Sequence, residues 1–226
     1  MRAAGVDGCK GGWVCVLDGV ATVHTRFDAL MAALPVDTLV GVDMPIGLLD
    51  ELVPGGRVAD RLARTRLGPV RGTSVFSSPP RIALDQWRKT PDYLAVKAAV
   101  DGHLTKQAFF ILDKIAELDD YARAHGQDRL AEIHPELGFM ELAGEPLREP
   151  KRGLAGRTRR LELLARAGIP VPDRPPNTSG PRVAPDDLLD ATVVAWSAAR
   201  VVAGVAGRVP DPPPVDRFGL RMEVRW

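Results

Sequence analysis

The amino-acid sequence predicts a mixed α/β fold. It reads as one five-stranded sheet, an antiparallel meander of strands one to three and then parallel strands, flanked by helices and carrying helical insertions. Three observations predict it. Residues 13–17 and 20–27 are rich in β-formers and flank Asp18-Gly19, a favoured two-residue hairpin turn because both positions take positive φ. Residues 38–42 form an apolar run without alternation, as expected of a strand buried on both faces. A short helical segment separates this run from the meander, so the run can lie parallel to strand one.

The first strand covers residues 3–6 and ends at Asp7, and residues 8–12 (GCKGG) form a turn. Asp28 is placed to cap a helix over 29–34, closed by Pro35. Residues 44–128 hold a loop and a helical insertion. Within it, helices are expected over 57–67 (stopped by Gly68-Pro69), 91–100 and 106–123, with an irregular loop over 70–81. Residues 130–134 read as the fifth strand, ended by Pro135-Glu136. A basic helix follows over 157–167. A proline-rich connector over 169–185 leads to a long apolar helix over 187–203, capped by Asp186. Residues 218–226 suggest a short terminal strand. A three-strand meander followed by alternating helix and strand is the RNase H-like order, and the 226 residues fit one such domain.

Composition sets outer limits. Hydrophobic residues make up 45% and charged residues 26%, enough for a packed core. No apolar run approaches the roughly 18 residues that span a bilayer, and Asp7 comes too early for a signal peptide. These features lead us to expect a cytoplasmic protein with no membrane partner. Cys9 and Cys15 lack any zinc-ligand spacing and read as structural thiols. The net charge is +1, but its distribution is uneven. Residues 57–89 and 148–174 are strongly basic, and 113–145 is strongly acidic. Such a chain can present a positive groove around a negative site.

The carboxylates carry the functional expectation. Asp7 ends strand one and Asp43 ends strand four, so parallel pairing puts the two acids side by side. Two close carboxylates repel unless a cation or a shared proton intervenes. Asp187 and Asp190 are spaced to share a helical face with Asp186. Capping explains Asp186 and Asp187 without any function, and explains Asp190 less well. Glu136 lies just past strand five, where the site would be; Glu132 is the weaker candidate, and His134 reads more readily as structural. Oxygen-rich clusters suit Mg²⁺ or Mn²⁺, and two such ions about 4 Å apart support phosphodiester hydrolysis. A Gly-x-x-x-x-Gly-Lys-Ser/Thr loop and a Gly-x-Ser-x-Gly elbow are both missing.

These motifs occur together and in order: GVDGCKGGW (5–13), VDMPIG (42–47), RVAD (57–60), SVF (74–76), EIHPE (132–136) and DDLLDA (186–191). The chain resembles the domain of unknown function 429 family, described as predicted nucleases with an RNase H-like fold. More distantly, Asp7, Asp43 and the Asp187/Asp190 pair resemble the acidic tetrad of Holliday-junction resolvases. There the second acid is usually glutamate, one methylene longer than Asp43. The resemblance implies a nuclease with Asp7, Asp43, Asp187 and Asp190 as metal ligands and Glu136 supporting them. Nucleic acid would be the partner, and Lys10, Arg57, Arg64 and Lys106 its phosphate contacts. The same core also occurs in non-catalytic binding domains and in nucleotide-binding phosphotransferases of the actin-like superfamily, which normally duplicate the unit found once here.

Overall fold

The computed structural model describes residues 1–151, 153–175 and 180–226. The five-stranded sheet consists of β1 (Arg2–Cys9), β2 (Gly12–Leu17), β3 (Val20–His24), β4 (Thr38–Val42) and β5 (Leu130–Glu132), in the order β3-β2-β1-β4-β5. β1, β2 and β3 are antiparallel, and β4 runs parallel to both β1 and β5. The Asp18-Gly19 turn takes the positive φ values its sequence predicts, 51° and 74°. All five residues of β4 are buried, as its unbroken apolar pattern requires.

One face of the sheet carries α1 (Phe27–Ala33) and α6 (Leu112–His125); Leu30 and Leu118 pack there against Val6, Trp13 and Val42. The other face carries α9 (Pro185–Val202), which lies across β1 and β4. Gly5 makes this contact possible. A Cβ at Gly5 would stand 2.1 Å from Ala191 O and Ala195 N, so any side chain would lift α9 off β1.

The insertion comprises α2 (Val58–Arg71), α3 (Arg81–Lys89), α4 (Tyr93–Ala98) and α5 (Lys106–Phe110). Beyond β5 come α7 (Pro135–Ala143) and α8 (Leu154–Arg166), and the paired strands β6 (Arg208–Val209) and β7 (Val224–Arg225).

Several boundaries differ from expectation. Asp28 does not cap α1, because the helix begins two residues earlier than expected, at Phe27, and Asp28 lies within its first turn. The Phe27 N–H donates to Glu117 Oε2 at 2.6 Å, and the Phe27 ring is buried edge-on against Trp13 and Tyr121. A carboxylate distant in sequence thus does the work of a cap. Gly68 has non-helical φ/ψ, yet the chain resumes helix through Arg71, so Gly68-Pro69 kinks α2 and does not end it. The helix expected over 106–123 breaks at Ile111 into α5 and α6. Helices α3 and α7 were not foreseen. Both start beside prolines, Pro80 in the expected loop and Pro135 at the expected end of strand five, and proline suits a helix N-terminus. The terminal strand shrinks to Val224–Arg225. Residues 176–179 of the expected connector lie outside the described residues. Among the described residues no helix is long and apolar enough to cross a membrane.

Candidate metal centre

Parallel pairing of β1 with β4 sets Asp43 beside Asp7, and the Asp43 N–H donates to Val6 O at 3.0 Å. The close seat of α9 over Gly5 brings Asp190 to the same edge. One carboxylate oxygen from each of Asp7, Asp43 and Asp190 lies within 4.8 Å of the other two. Asp7 is only 7% exposed, and its carboxylate has no hydrogen-bond or ion-pair partner among the described residues. The Asp43 carboxylate has none either. Among the described residues the cation in contact is Lys151, whose Nζ lies 2.8 Å from Asp190 Oδ2.

Burial and crowding raise the proton affinity of the whole cluster. Asp7 is held well above the carboxylate range, by burial first and then by repulsion from Asp43, Asp190 and Asp187. Burial pushes Asp43 up to about 7, with Lys151 opposing. Asp190 rises to about 6 by burial, again against Lys151. Lys151 is raised by its acidic neighbours, against burial. Among the described residues, three carboxylates face one ammonium.

The two other acids expected at the centre are engaged elsewhere. Pro185 takes the first position of α9, so Asp187 and not Asp186 reaches back to cap it, Oδ2 accepting from Ala184 N at 2.8 Å. Asp187 stands next to the trio without joining it. Its affinity for a proton rises to about 6 through burial. Glu136 sits in the first turn of α7, not on a strand. It accepts from Arg160 at 2.5 Å and lies 3.5 Å from Arg71. His134 precedes it at the helix cap, its Nδ1 accepting from Glu136 N at 3.2 Å.

Among the expected phosphate contacts, Arg57 needs correction. It is 2% exposed and bonds both carboxylate oxygens of Glu132, Asp60 Oδ1 and the carbonyls of Ile46 and Gly47. Glu132 in turn accepts from Ile46 N at 2.7 Å. Arg57 therefore cannot reach a backbone phosphate. It clamps the loop that follows Asp43 to β5 and α2. Arg64 braces a second loop, donating to Val75 O, Ser77 Oγ and Gly55 O. Lys10 is exposed in the turn after β1, where its carbonyl accepts from Arg182 N at 2.9 Å. Lys106 is exposed at the head of α5 and forms no ion pair with the acids among the described residues.

Residues 5–215 match the family model described as "Protein of unknown function (DUF429)". The chain belongs to this family. No curated protein and no solved structure matches it. Lys151 is the site residue of this DUF429 chain that sequence reasoning missed. Its only sequence signal is its place in the basic segment 148–174, where nothing separates it from its neighbours. Arg71 and Arg160 come from the two basic segments as well, and both are turned inward on Glu136. Cys9 and Cys15 are both buried, and burial pushes the thiols up to about 11 and about 12, which keeps them inert.

Proposed function

We propose that this chain is a divalent-metal-dependent phosphodiester hydrolase acting on nucleic acid, built on an RNase H-like core. The observation that carries the reading is the convergence of Asp7, Asp43 and Asp190 from β1, β4 and α9, with oxygens within 4.8 Å and no arginine paired with them among the described residues. Three buried carboxylates with raised proton affinity are unfavourable unless a proton or a cation compensates them. An all-oxygen donor set fits Mg²⁺ or Mn²⁺.

Asp7, Asp43 and Asp190 are the residues that would hold the metal. A bound divalent ion supplies Lewis acidity toward a phosphoryl oxygen and lowers the pKa of a coordinated water. The protein supplies the rest. Lys151 orients Asp190 and places a fixed positive charge at the rim, where a phosphate oxygen can meet it. Arg57 fixes the 43–47 loop, and with it the direction of Asp43. Two-metal hydrolysis asks for further free carboxylates. Asp187 and Glu136 are the nearest, and both are already engaged, so we favour one ion with Lys151 as the second positive charge.

The test is Mn²⁺ titration by calorimetry, followed by divalent-dependent cleavage of a panel of DNA and RNA forms. The expected result is one Mn²⁺ per chain, with binding and cleavage lost in Asp7→Ala and Asp43→Ala. A folded wild-type protein that binds no divalent ion ends this reading.

A further inference from the structure

A cavity of about 650 Å³ opens between the first turns of α8 and α9 and meets the carboxylate trio at Asp190. Asp186, Asp187 and Asp190 lie at one side, and Lys151 and Arg157 bring positive charge to it. Leu154, Pro185 and Leu189 supply an apolar wall. Three features of this cavity have no role in holding the fold together. Leu154 is 84% exposed, a large apolar side chain left in water at the lip of a polar site. Arg157 is exposed and forms no ion pair among the described residues. The first turn of α8 has no acidic residue and no side-chain cap, since Gly153 stands at its N-cap, so its own sequence leaves the positive helix end open to an anion.

The volume lies within the roughly 300–1,000 Å³ typical of small-ligand sites, which are mostly apolar with a few placed polar groups. Faces that read duplex nucleic acid instead spread over roughly 1,000–2,500 Å². An occupant that satisfies these features carries an anion for Arg157 and the α8 N-terminus, within reach of Lys151 where it pairs with Asp190, and an apolar face for Leu154, Pro185 and Leu189. Its anion must also reach the carboxylate edge. A phosphate joined to a nucleoside meets all three demands, whereas inorganic phosphate lacks the apolar part and a nucleoside lacks the anion.

We propose that this cavity binds one unpaired nucleoside monophosphate unit, its phosphate at the Lys151–Arg157 side and its nucleoside against Leu154, Pro185 and Leu189. The inference rests on the metal-dependent reading, since the cavity would seat the unit adjoining the bond to be cut. The unit is either a free nucleotide or the end of a single strand.

The experiment is calorimetric titration of the full chain with adenosine 5′-monophosphate, in Mn²⁺ and in EDTA, with adenosine, inorganic phosphate, the dinucleotide pApA and a blunt DNA duplex as further arms. Mn²⁺ affinity is measured separately. Adenosine and phosphate are expected to bind at least tenfold more weakly than the monophosphate. Leu154→Ser and Arg157→Gln, both exposed and neither a metal ligand, should weaken the monophosphate at least tenfold and leave Mn²⁺ affinity unchanged. If pApA binds as well as the monophosphate or better, the occupant is a strand end; preference for the monophosphate makes it a free nucleotide. The inference is overturned if the monophosphate fails to bind a chain that binds Mn²⁺, or if neither variant weakens it. Phosphate binding equally well, or duplex displacing the monophosphate as well as pApA does, overturns it too. Failure of Mn²⁺ itself to bind counts against the hydrolase reading instead.

Discussion

Lys151 and Arg57 show how differently two basic residues can serve one acidic cluster. Lys151 reaches in from the segment between α7 and α8, and its side chain is 42% exposed. Its pairing with Asp190 is screened on one side, so it adds on the order of 1 kcal/mol to stability at most. Its charge nevertheless competes with any metal ion. Lys151→Met is expected to tighten Mn²⁺ binding by up to about tenfold, equivalent to roughly 1.4 kcal/mol, as read by calorimetry. Arg57 is the opposite case, with its guanidinium committed to two carboxylates and two carbonyls. Arg57→Ala leaves Asp60 and Glu132 buried without their partner and should cost about 3–5 kcal/mol in urea denaturation. An Arg57→Ala protein as stable as wild type would show that the clamp contributes nothing. From sequence, Arg57 looked like one more residue on a basic helix face. Its inward direction depends on Glu132, 75 positions away.

At the scale of elements, α9 and β1 together make the site. Gly5 lets α9 lie against the strand, and this contact sets Asp190 over Asp7. Gly5→Val would drive a side chain into the backbone at Ala191 and Ala195. Overpacking of this kind costs roughly 1–3 kcal/mol, and sometimes more. Mn²⁺ affinity should fall with it, because Asp190 moves with the helix; thermal melts and Mn²⁺ titration of the same variant check both effects. The β-elements were the legible ones. Their signals, an Asp-Gly turn and an unbroken apolar run, act between neighbours in sequence. The starts of α1 and α7 were misread because distant groups shape them. Glu117 accepts from Phe27 N and so draws the start of α1 ahead of Asp28, and the burial of Leu137 and Phe139 accompanies a helix that starts at the proline expected to end strand five.

For the molecule as a whole, the cluster ties stability to pH and to metal. Asp43, Asp187 and Asp190 all hold protons more tightly in the folded chain than in the unfolded one. The folded state therefore binds more protons between about pH 4 and pH 7, and the metal-free protein should lose stability as pH rises through that window. Mn²⁺ binds the deprotonated form, so its stabilising effect should be small near pH 5 and large near pH 8. Melting curves with Mn²⁺ or EDTA across that range test both slopes. Asp7→Asn with Asp43→Asn should flatten the metal-free slope and remove the Mn²⁺ effect. A wild-type melting temperature that ignores both pH and Mn²⁺ would sink the charge argument.

By itself the sequence determined the antiparallel meander, the hairpin, the parallel pairing of β4 with β1 that sets Asp43 beside Asp7, and the choice of oxygen donors, although β1 runs two residues past Asp7, through Cys9. These follow from periodicity, turn chemistry and parallel pairing. Only the tertiary structure decided which of the remaining acids joins the pair. Asp190 enters because α9 docks on Gly5, Asp187 stays beside the trio because it caps its own helix, and Glu136 is held by two arginines. Long-range packing and ion pairing, which no local pattern encodes, made that selection and brought in Lys151 as the single cation in contact with the trio among the described residues.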